Sequence, residues 1–406
     1  MMSSSSSTRE GKLAGLTGAT GRRVSQWLAG PVPTSVLIAL VIGAGFMLVA
    51  GANPITGYHS MLVGSLGSGQ GLSTTIQRSI PLVGMALCVA VAFRAGVLNL
   101  GAEGQMVLGG LAGAVVALNL PGPGLLVCAV ACLAGIAAGA LWGALSAALQ
   151  AWPGVPLLIT SLLLNYPARY FVSWMIRFPL KDPASSSVAT ESYRPEVQIP
   201  LLAPKGSAIG DWLAQNLGSD NPLTVIGKGV GWSLVVVIVL VALVSFINRR
   251  TVFGLESGIN GLNEGFSRYS GVRVNWMTTR TMLLSGGIAG LVGVMLTIGA
   301  PTSRLIDGSL IDTNYAWTGL LVALLALYRP AGVVVAGVFF GAIVAGSGQM
   351  GRDLSMSPQI AAVVQGIVIV LIAFQVHPPR RRRRAGPPAE ADNSAAAVPT
   401  NQAEGA

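Results

Sequence analysis

Apolar runs separated by shorter polar breaks organise this chain. Ten runs stand out: Thr34 to Gly51, Pro81 to Phe93, Gln105 to Leu118, Leu125 to Gln150, Leu157 to Ile176, Trp232 to Ile247, Trp276 to Ala300, Asn314 to Leu327, Val333 to Ala345 and Pro358 to Val376. A helix needs about 20 apolar residues to cross a bilayer. The pattern predicts an all-α membrane protein with about ten transmembrane helices. The first run is long and follows a long tail, so it predicts an uncleaved span rather than a signal peptide. Asn53 to Ser79 is polar and Gly/Ser-rich, which predicts an external or partly re-entrant loop. The longest polar insertion opens at Arg177 and fills 178–231. A second hydrophilic loop fills 251–275, and shorter loops are predicted at Pro301 to Thr313 and Gly346 to Ser357. The organisation is therefore a basic N-terminal tail at 1–33, a polytopic domain at 34–376, and a tail at 377–406. That last tail is basic, then Ala/Pro-rich with no core-forming residues, which predicts disorder.

One break carries more chemistry than the others. Between two uncharged apolar segments, Phe93 to Gln105 holds Arg94, Asn99, Glu103 and Gln105 together with three glycines. A charge at mid-bilayer depth costs roughly 2.5–3.5 kcal/mol on insertion scales. Such residues persist where they face a cavity or a partner. Glycine lets the backbone leave the helix, which a membrane tolerates only against protein or a watery path. Two readings follow: a broken segment lining a solute path, or a cytoplasmic turn holding Arg94 with Glu103 at the mouth of the next helix. Arg94 pairing with Glu103 is a further structural expectation. In the fourth run Gly135, Gly139 and Gly143 recur every four residues, a smooth helix face for a neighbour or merely loose packing.

Composition removes the soluble alternatives. The chain is 52% hydrophobic and 10% charged, where a soluble domain carries about 25% charge. Its net charge of +10 is no nucleic-acid signal, because Arg380 to Arg384 sit just past the last apolar run, where topology signals and anionic lipid contacts belong. With ten spans and the N-terminus inside, the inner segments hold 15 basic residues and the outer loops, Arg78 among them, hold 8. Excess Lys and Arg mark the cytoplasmic side, so both termini are expected to be cytoplasmic. Cys88, Cys128 and Cys132 lie in apolar runs without metal-ligand spacing and read as core residues.

No catalytic constellation is visible. His59 and His377 are far apart, no Ser sits in a nucleophile elbow, and Gly227-Lys228 lacks the preceding glycine of a P-loop. The chain is read as no enzyme, without a cofactor or metal of its own. A gradient-driven carrier would keep buried carboxylates as relays, and Glu103 alone is at a plausible depth. An external motor pressing on the cytoplasmic face is the better fit. The 251–275 loop suits it: a surface helix over Asn263 to Tyr269 would put Leu262, Phe266 and Tyr269 on one side, at spacings of four and three.

Several motifs then point one way. Phe93-Arg94-Ala95-Gly96 through Asn99-Leu100-Gly101-Ala102-Glu103-Gly104-Gln105, Ile159-Thr160, Leu164-Asn165-Tyr166, Pro179 to Pro183, Phe253-Gly254, Arg268-Tyr269, Ser285-Gly286 and Gln365-Gly366 make the chain resemble the membrane permease subunit of bacterial ABC importers, in the branch for nucleosides and simple sugars. The resemblance covers nearly the whole chain and is greatest to nucleoside permeases. It departs at Gly258, where an Arg is usual, and at Glu264, where a Pro is usual. It implies a bacterial plasma-membrane protein that pairs with a second permease subunit. It also implies an ABC ATPase subunit that uses ATP and Mg, and an external solute-binding protein. The expected solute path is Asn99, Glu103, Gln105, Asn165 and Tyr166, with Tyr166 stacking on a base. The expected contact with the ATPase is Gly261, Asn263, Phe266, Arg268 and Tyr269. A sugar or amino acid permease, and a stand-alone channel or carrier, remain as alternatives.

Overall fold

In a computed structural model the described residues are 31–49, 51–152, 154–299, 303–354 and 366. They are mostly helical, and among them β-structure is limited to isolated bridges. The predicted tenth span apart from Gly366, the C-terminal tail, and nearly all of the N-terminal tail lie outside the described residues. The helices in order are α1 (Pro31–Val49), α2 (Pro54–Leu62), α3 (Gly69–Arg94), α4 (Ala102–Asn119), α5 (Gly124–Ala151), α6 (Leu157–Leu163), α7 (Asn165–Arg177), α8 (Ala208–Leu217), α9 (Pro222–Gly229), α10 (Ser233–Arg250), α11 (Val252–Leu262), α12 (Glu264–Tyr269), α13 (Val274–Ile298), α14 (Tyr315–Leu325) and α15 (Pro330–Asp353). Five of them, α3, α5, α10, α13 and α15, are long and apolar enough to cross a membrane. A sixth crossing is counted if Leu40–Val49 and Pro54–Gly67, bent by 120°, form one span.

The helices α3 and α13 are the centre of the bundle. Their apolar windows are 78% buried, against 22% in α5 and α10, which keep wide faces for lipid or partner chains. The Gly135, Gly139 and Gly143 stripe of α5 has a definite neighbour. A Cβ at Gly139 would collide with the Gly286 carbonyl of α13, one at Gly143 with the Met282 carbonyl, and one at Gly290 with the Gly135 carbonyl. Small residues here bring two backbones into direct contact, which dispersion alone rewards in a membrane.

Four expectations need correction. Asn53 to Ser79 is not an open external loop: it forms α2, a π-turn at Val63–Gly67, and the first turns of α3, and the 120° bend before α2 keeps the re-entrant alternative. Its hydroxyls bond backbone carbonyls instead of water, Thr75 Oγ1 to Ser65 O (2.8 Å) and Ser79 Oγ to Thr75 O (2.7 Å), so a polar run becomes a buried helix. Arg78 therefore lies inside α3. The run Leu157 to Ile176 is broken at Leu164, because Pro167 has no N–H to give and its ring crowds the Leu163 carbonyl. The ninth run continues as helix to Asp353, through most of the predicted 346–357 loop. The 251–275 loop holds two helices, α11 and α12, rather than one.

The insertion 178–231 is also structured. Thr190 N–H and Tyr193 N–H donate to Leu305 O and Ser303 O, tying it to the 303–312 loop at 2.9 and 2.7 Å. Arg194 Nη2 donates to Leu120 O (2.7 Å). The insertion, the α4–α5 turn and the α13–α14 loop thus form one end of the molecule.

Candidate functional site

The helix α3 ends at Arg94, and Gly96 turns the chain with a φ of +73°, a conformation that glycine adopts without strain. Residues 97–101 are then non-helical, and α4 begins at Ala102. Backbone N–H and C=O groups freed inside a bundle must find partners. Side chains supply them. Asn165 Nδ2 donates to Leu100 O (2.9 Å) and its Oδ1 accepts from Gly104 N–H (2.8 Å). Leu100 N–H donates to Ser161 Oγ (3.3 Å), and Gly101 N–H to Asn99 Oδ1 (3.0 Å).

Asn99 is the hub of this network. Its Nδ2 donates to Gln105 Oε1 and Ser285 Oγ, both at 2.8 Å, while Gln105 Nε2 donates back to Asn99 Oδ1 (3.1 Å). Ser285 Oγ donates to Cys88 O (2.8 Å), which joins α13 to α3. Asn99 is 1% exposed and Gln105 0%. Of the five expected path residues, Asn99, Gln105 and Asn165 are thus brought together as interior bracing.

Glu103 is buried, and Tyr166 is exposed. Glu103 Oε2 accepts from Trp317 Nε1 (3.0 Å), and its Oε1 is 3.6 Å from Arg169 Nε. The expected Arg94–Glu103 pair does not form, because the two side chains leave the stretch at opposite ends. Arg94 Nη2 donates instead to Asn248 O (3.3 Å) and Gly254 O (3.4 Å). Tyr166 is exposed, and Arg169, Tyr170, Ser173, Trp174 and Arg177 follow it at spacings of three and four along one face of α7. Arg177 pairs with Asp307, and Ser173 Oγ donates to the same carboxylate (3.1 Å). Sequence reasoning left Arg169, Ser285 and Trp317 out of the site. Arg169 was detectable as a cation within an apolar run, whereas Ser285 and Trp317 carry no local signal.

At the other end of the stretch stand α11 and α12. Asn263 caps α12, its Oδ1 accepting from Phe266 N–H (3.0 Å). Glu264 suits the first helical turn, where negative charge meets the positive end of the dipole, and it pairs with Arg268 at 2.7 Å. That explains a Glu where the resembling family has Pro. Leu262 (90% exposed), Phe266 and Tyr269 (91%) stand out from the molecule. Asn260 Nδ2 donates to Ala95 O (2.8 Å), and a Cβ on Gly261 would collide with the Arg94 carbonyl. A Cβ at Gly258 would sit 3.3 Å from Arg94 Nη2, so Arg94 fills the space above the position where the family has its own Arg. The exposed apolar trio is therefore joined, through Asn260 and Gly261, to the end of α3 and the Asn99 network.

Comparison with known proteins places the chain in a family. The family described as the permease component of branched-chain amino acid transport systems matches residues 71–373. A nucleoside ABC transporter permease of Lactococcus lactis is 29% identical over 340 residues, 84% of this chain and 89% of that protein. A glucose ABC transporter permease of Haloferax volcanii is 29% identical over 352 residues, 86% and 89% of the two chains. A guanosine ABC transporter permease of Bacillus subtilis is 27% identical over 339 residues, 84% and 91%. A bundle of apolar helices, with polar bracing inside and Leu262, Phe266 and Tyr269 exposed at one end, is matched over most of its length by permeases, and the chain belongs to this family of ABC transport permease components.

Proposed function

We propose that this chain is the transmembrane permease of an ATP-driven importer of nucleosides in a bacterial plasma membrane. A separate ATPase subunit hydrolyses MgATP, a second permease completes the pore, and an external binding protein delivers solute. The observation that carries the reading is the lever: Leu262, Phe266 and Tyr269 are exposed at one end, and Asn260 and Gly261 fasten their helices to the broken interior stretch. An exposed apolar cluster with a polar surround marks a protein contact. The motor seats there, and its closure moves α11 against the end of α3.

Solute passes along α7, with Tyr166 presented to it and Glu103 behind. Asn99, Gln105 and Asn165 hold the wall. The chain crosses the membrane ten times with both termini cytoplasmic. What supports ten is that α4, the α6–α7 pair and α14, although short, each run between the end tied to the insertion and the end near α11, which with the five long helices and the bent pair makes nine, the tenth being the apolar run Pro358 to Val376 of the sequence. Nucleosides are favoured over sugars because two of the relatives act on a nucleoside or on guanosine, while the glucose permease keeps the sugar as the second reading.

The test is uptake into vesicles that hold this chain with its ATPase, partner permease and binding protein. ATP-dependent guanosine accumulation, competed by other nucleosides and not by glucose, is expected. Competition by glucose alone selects the second reading. Solute flux through this chain without the ATPase overturns the importer reading.

A further inference from the structure

The ten-residue helix α8 carries large apolar side chains in the open. Ile209 is 61% exposed and Trp212 59%. At 3.6 residues per turn Ile209 and Trp212 share one flank of α8, Asp211 and Gln215 share another, and all four are exposed. The inward side is fixed by α9: Leu213 O accepts from Thr224 Oγ1 (3.3 Å), and a Cβ on Gly227 would sit 3.6 Å from Leu213 Cδ1. Asn216 lies on the apolar flank, but its Nδ2 donates to Trp212 O (2.9 Å), so part of its hydrogen-bonding capacity is met within the helix. A helix with Trp and Ile on one flank and polar residues on the next is built to lie in a membrane interface.

The depth of α8 decides what covers that flank, and the neighbouring helices measure it. Gln77 Nε2 on α3 donates to Gly229 O, just before the start of α10, and Arg94 Nη2 donates to Asn248 O near its end. From Gln77 to Arg94 the helix rises roughly 26 Å, and α10 rises roughly 27 Å. Both lengths match a hydrocarbon core of about 30 Å, which puts its edge near Gln77 and Trp232. Trp232 is exposed, and an exposed Trp at the start of a spanning helix belongs at that boundary. The first turns of α3 continue roughly 12 Å beyond the edge, from Gln77 back to Gly69. Alongside them runs α9: a Cβ on Gly69 would sit 3.1 Å from Pro222 Cα, and one on Gly229 would collide with Ser73 Oγ. Thr224 and Gly227, which hold α8, lie between those two contacts. The helix α8 is thus kept within roughly 12 Å of the hydrocarbon edge, beside the headgroups, where Trp and Ile side chains reach the acyl boundary.

We propose that α8 lies along the membrane surface at the insertion's end, with Ile209 and Trp212 seated between headgroups and acyl chains and Asp211 and Gln215 turned to water. What covers the exposed flank is lipid, not another polypeptide. The insertion is then held at the membrane at two points, α8 and Trp232. The topology proposed above makes this leaflet the outer one, while the lipid contact itself depends on neither transport nor its direction.

Spin-label accessibility on the assembled transporter, reconstituted in vesicles of phosphatidylcholine and phosphatidylglycerol, tests this. With Cys128 and Cys132 replaced by Ala, a nitroxide is attached at Ile209→Cys or at Asp211→Cys, and the buried Cys88 stays unlabelled. Collision with oxygen, which concentrates in lipid, is expected to exceed collision with a water-soluble nickel chelate several-fold at position 209 and to fall below it at 211. Trp212→Cys repeats the measurement from the same flank, so the test stands if one variant fails to fold. A label at 209 that meets the nickel chelate as readily as the label at 211 overturns the proposal. So does one that meets nickel until binding protein is added, which marks a docking face, and one that neither reagent reaches, which marks a protein neighbour. No uptake is measured, so loss of the importer reading leaves the lipid contact intact, and loss of the lipid contact leaves the importer reading standing.

Discussion

At the scale of single residues, the buried polar groups that brace the interior and the exposed ring of Tyr166, proposed to meet the solute, predict different failures. Asn99→Leu removes the partner of Gly101 N–H, of the Gln105 side chain and of one Ser285 bond. Each orphaned buried group costs about 1–3 kcal/mol. The purified variant is expected to melt well below the wild type, and its uptake to fall in proportion to the folded protein lost. Tyr166→Ala touches an exposed ring, so melting should hardly move while uptake per folded molecule drops. A Tyr166 variant with reduced melting and normal specific uptake would reverse its assignment. The charged and polar residues of 93–105 were legible in the sequence because they interrupt apolar runs. Two of their partners were not: Ser285 and Trp317 come from positions 186 and 214 residues away, and only packing brings them in, while Asn165, 61 residues from Gly104, was named without its role as a brace.

At the scale of elements, the end of the 251–275 segment was legible and its beginning was not. Asn263 before Phe266 is a capping signal readable from residue type, whereas Leu262 closes α11, so its spacing of four to Phe266 on α12 does not run along one helix. The long α3 was missed because Ser, Thr and Gln read as loop until their hydroxyls and amides find backbone inside the bundle. The α6–α7 break was missed because Pro167 follows two polar residues in an otherwise apolar run. The lever has its own prediction. Asn260→Leu removes a neutral hydrogen bond of about 0.5–1.5 kcal/mol, too little to unfold the bundle. The complex should assemble and hydrolyse ATP near the wild-type rate, yet move less solute per ATP. Measuring uptake and hydrolysis on the same vesicles gives that ratio, and an unchanged ratio would show that α11 transmits nothing through Ala95.

At the scale of the whole molecule, the decisive quantity is which loops share a face. The insertion bonds to the 303–312 loop, and Gln77 near the start of α3 reaches Gly229 at its edge. Arg94 at the far end of α3 reaches Asn248 and Gly254 beside the coupling helices. The 18-residue α10 joins the two regions directly, a length of roughly 27 Å at 1.5 Å per residue, close to the hydrocarbon thickness of about 30 Å. The helices α3 and α13 make the same traverse. Among the described residues five helices, or six crossings with the bent pair, are long and apolar enough to span; on the proposed ten-span reading the shorter ones are lined by protein, where a helix need not be long or uniformly apolar. α14 has only 11 residues, and Phe93 still stacks on Tyr328 just beyond its end, at 5.1 Å between ring centroids. Cysteine accessibility checks the arrangement. With Cys128 and Cys132 replaced by Ala, Lys205→Cys in the insertion should react with a membrane-impermeant maleimide in intact cells. Ser270→Cys, beside α12, should react only after the membrane is opened. The buried Cys88 should stay silent in both. If the two introduced thiols label from the same side, α10 does not cross, and the lever and the solute entrance would share one face, which no motor-driven importer can use.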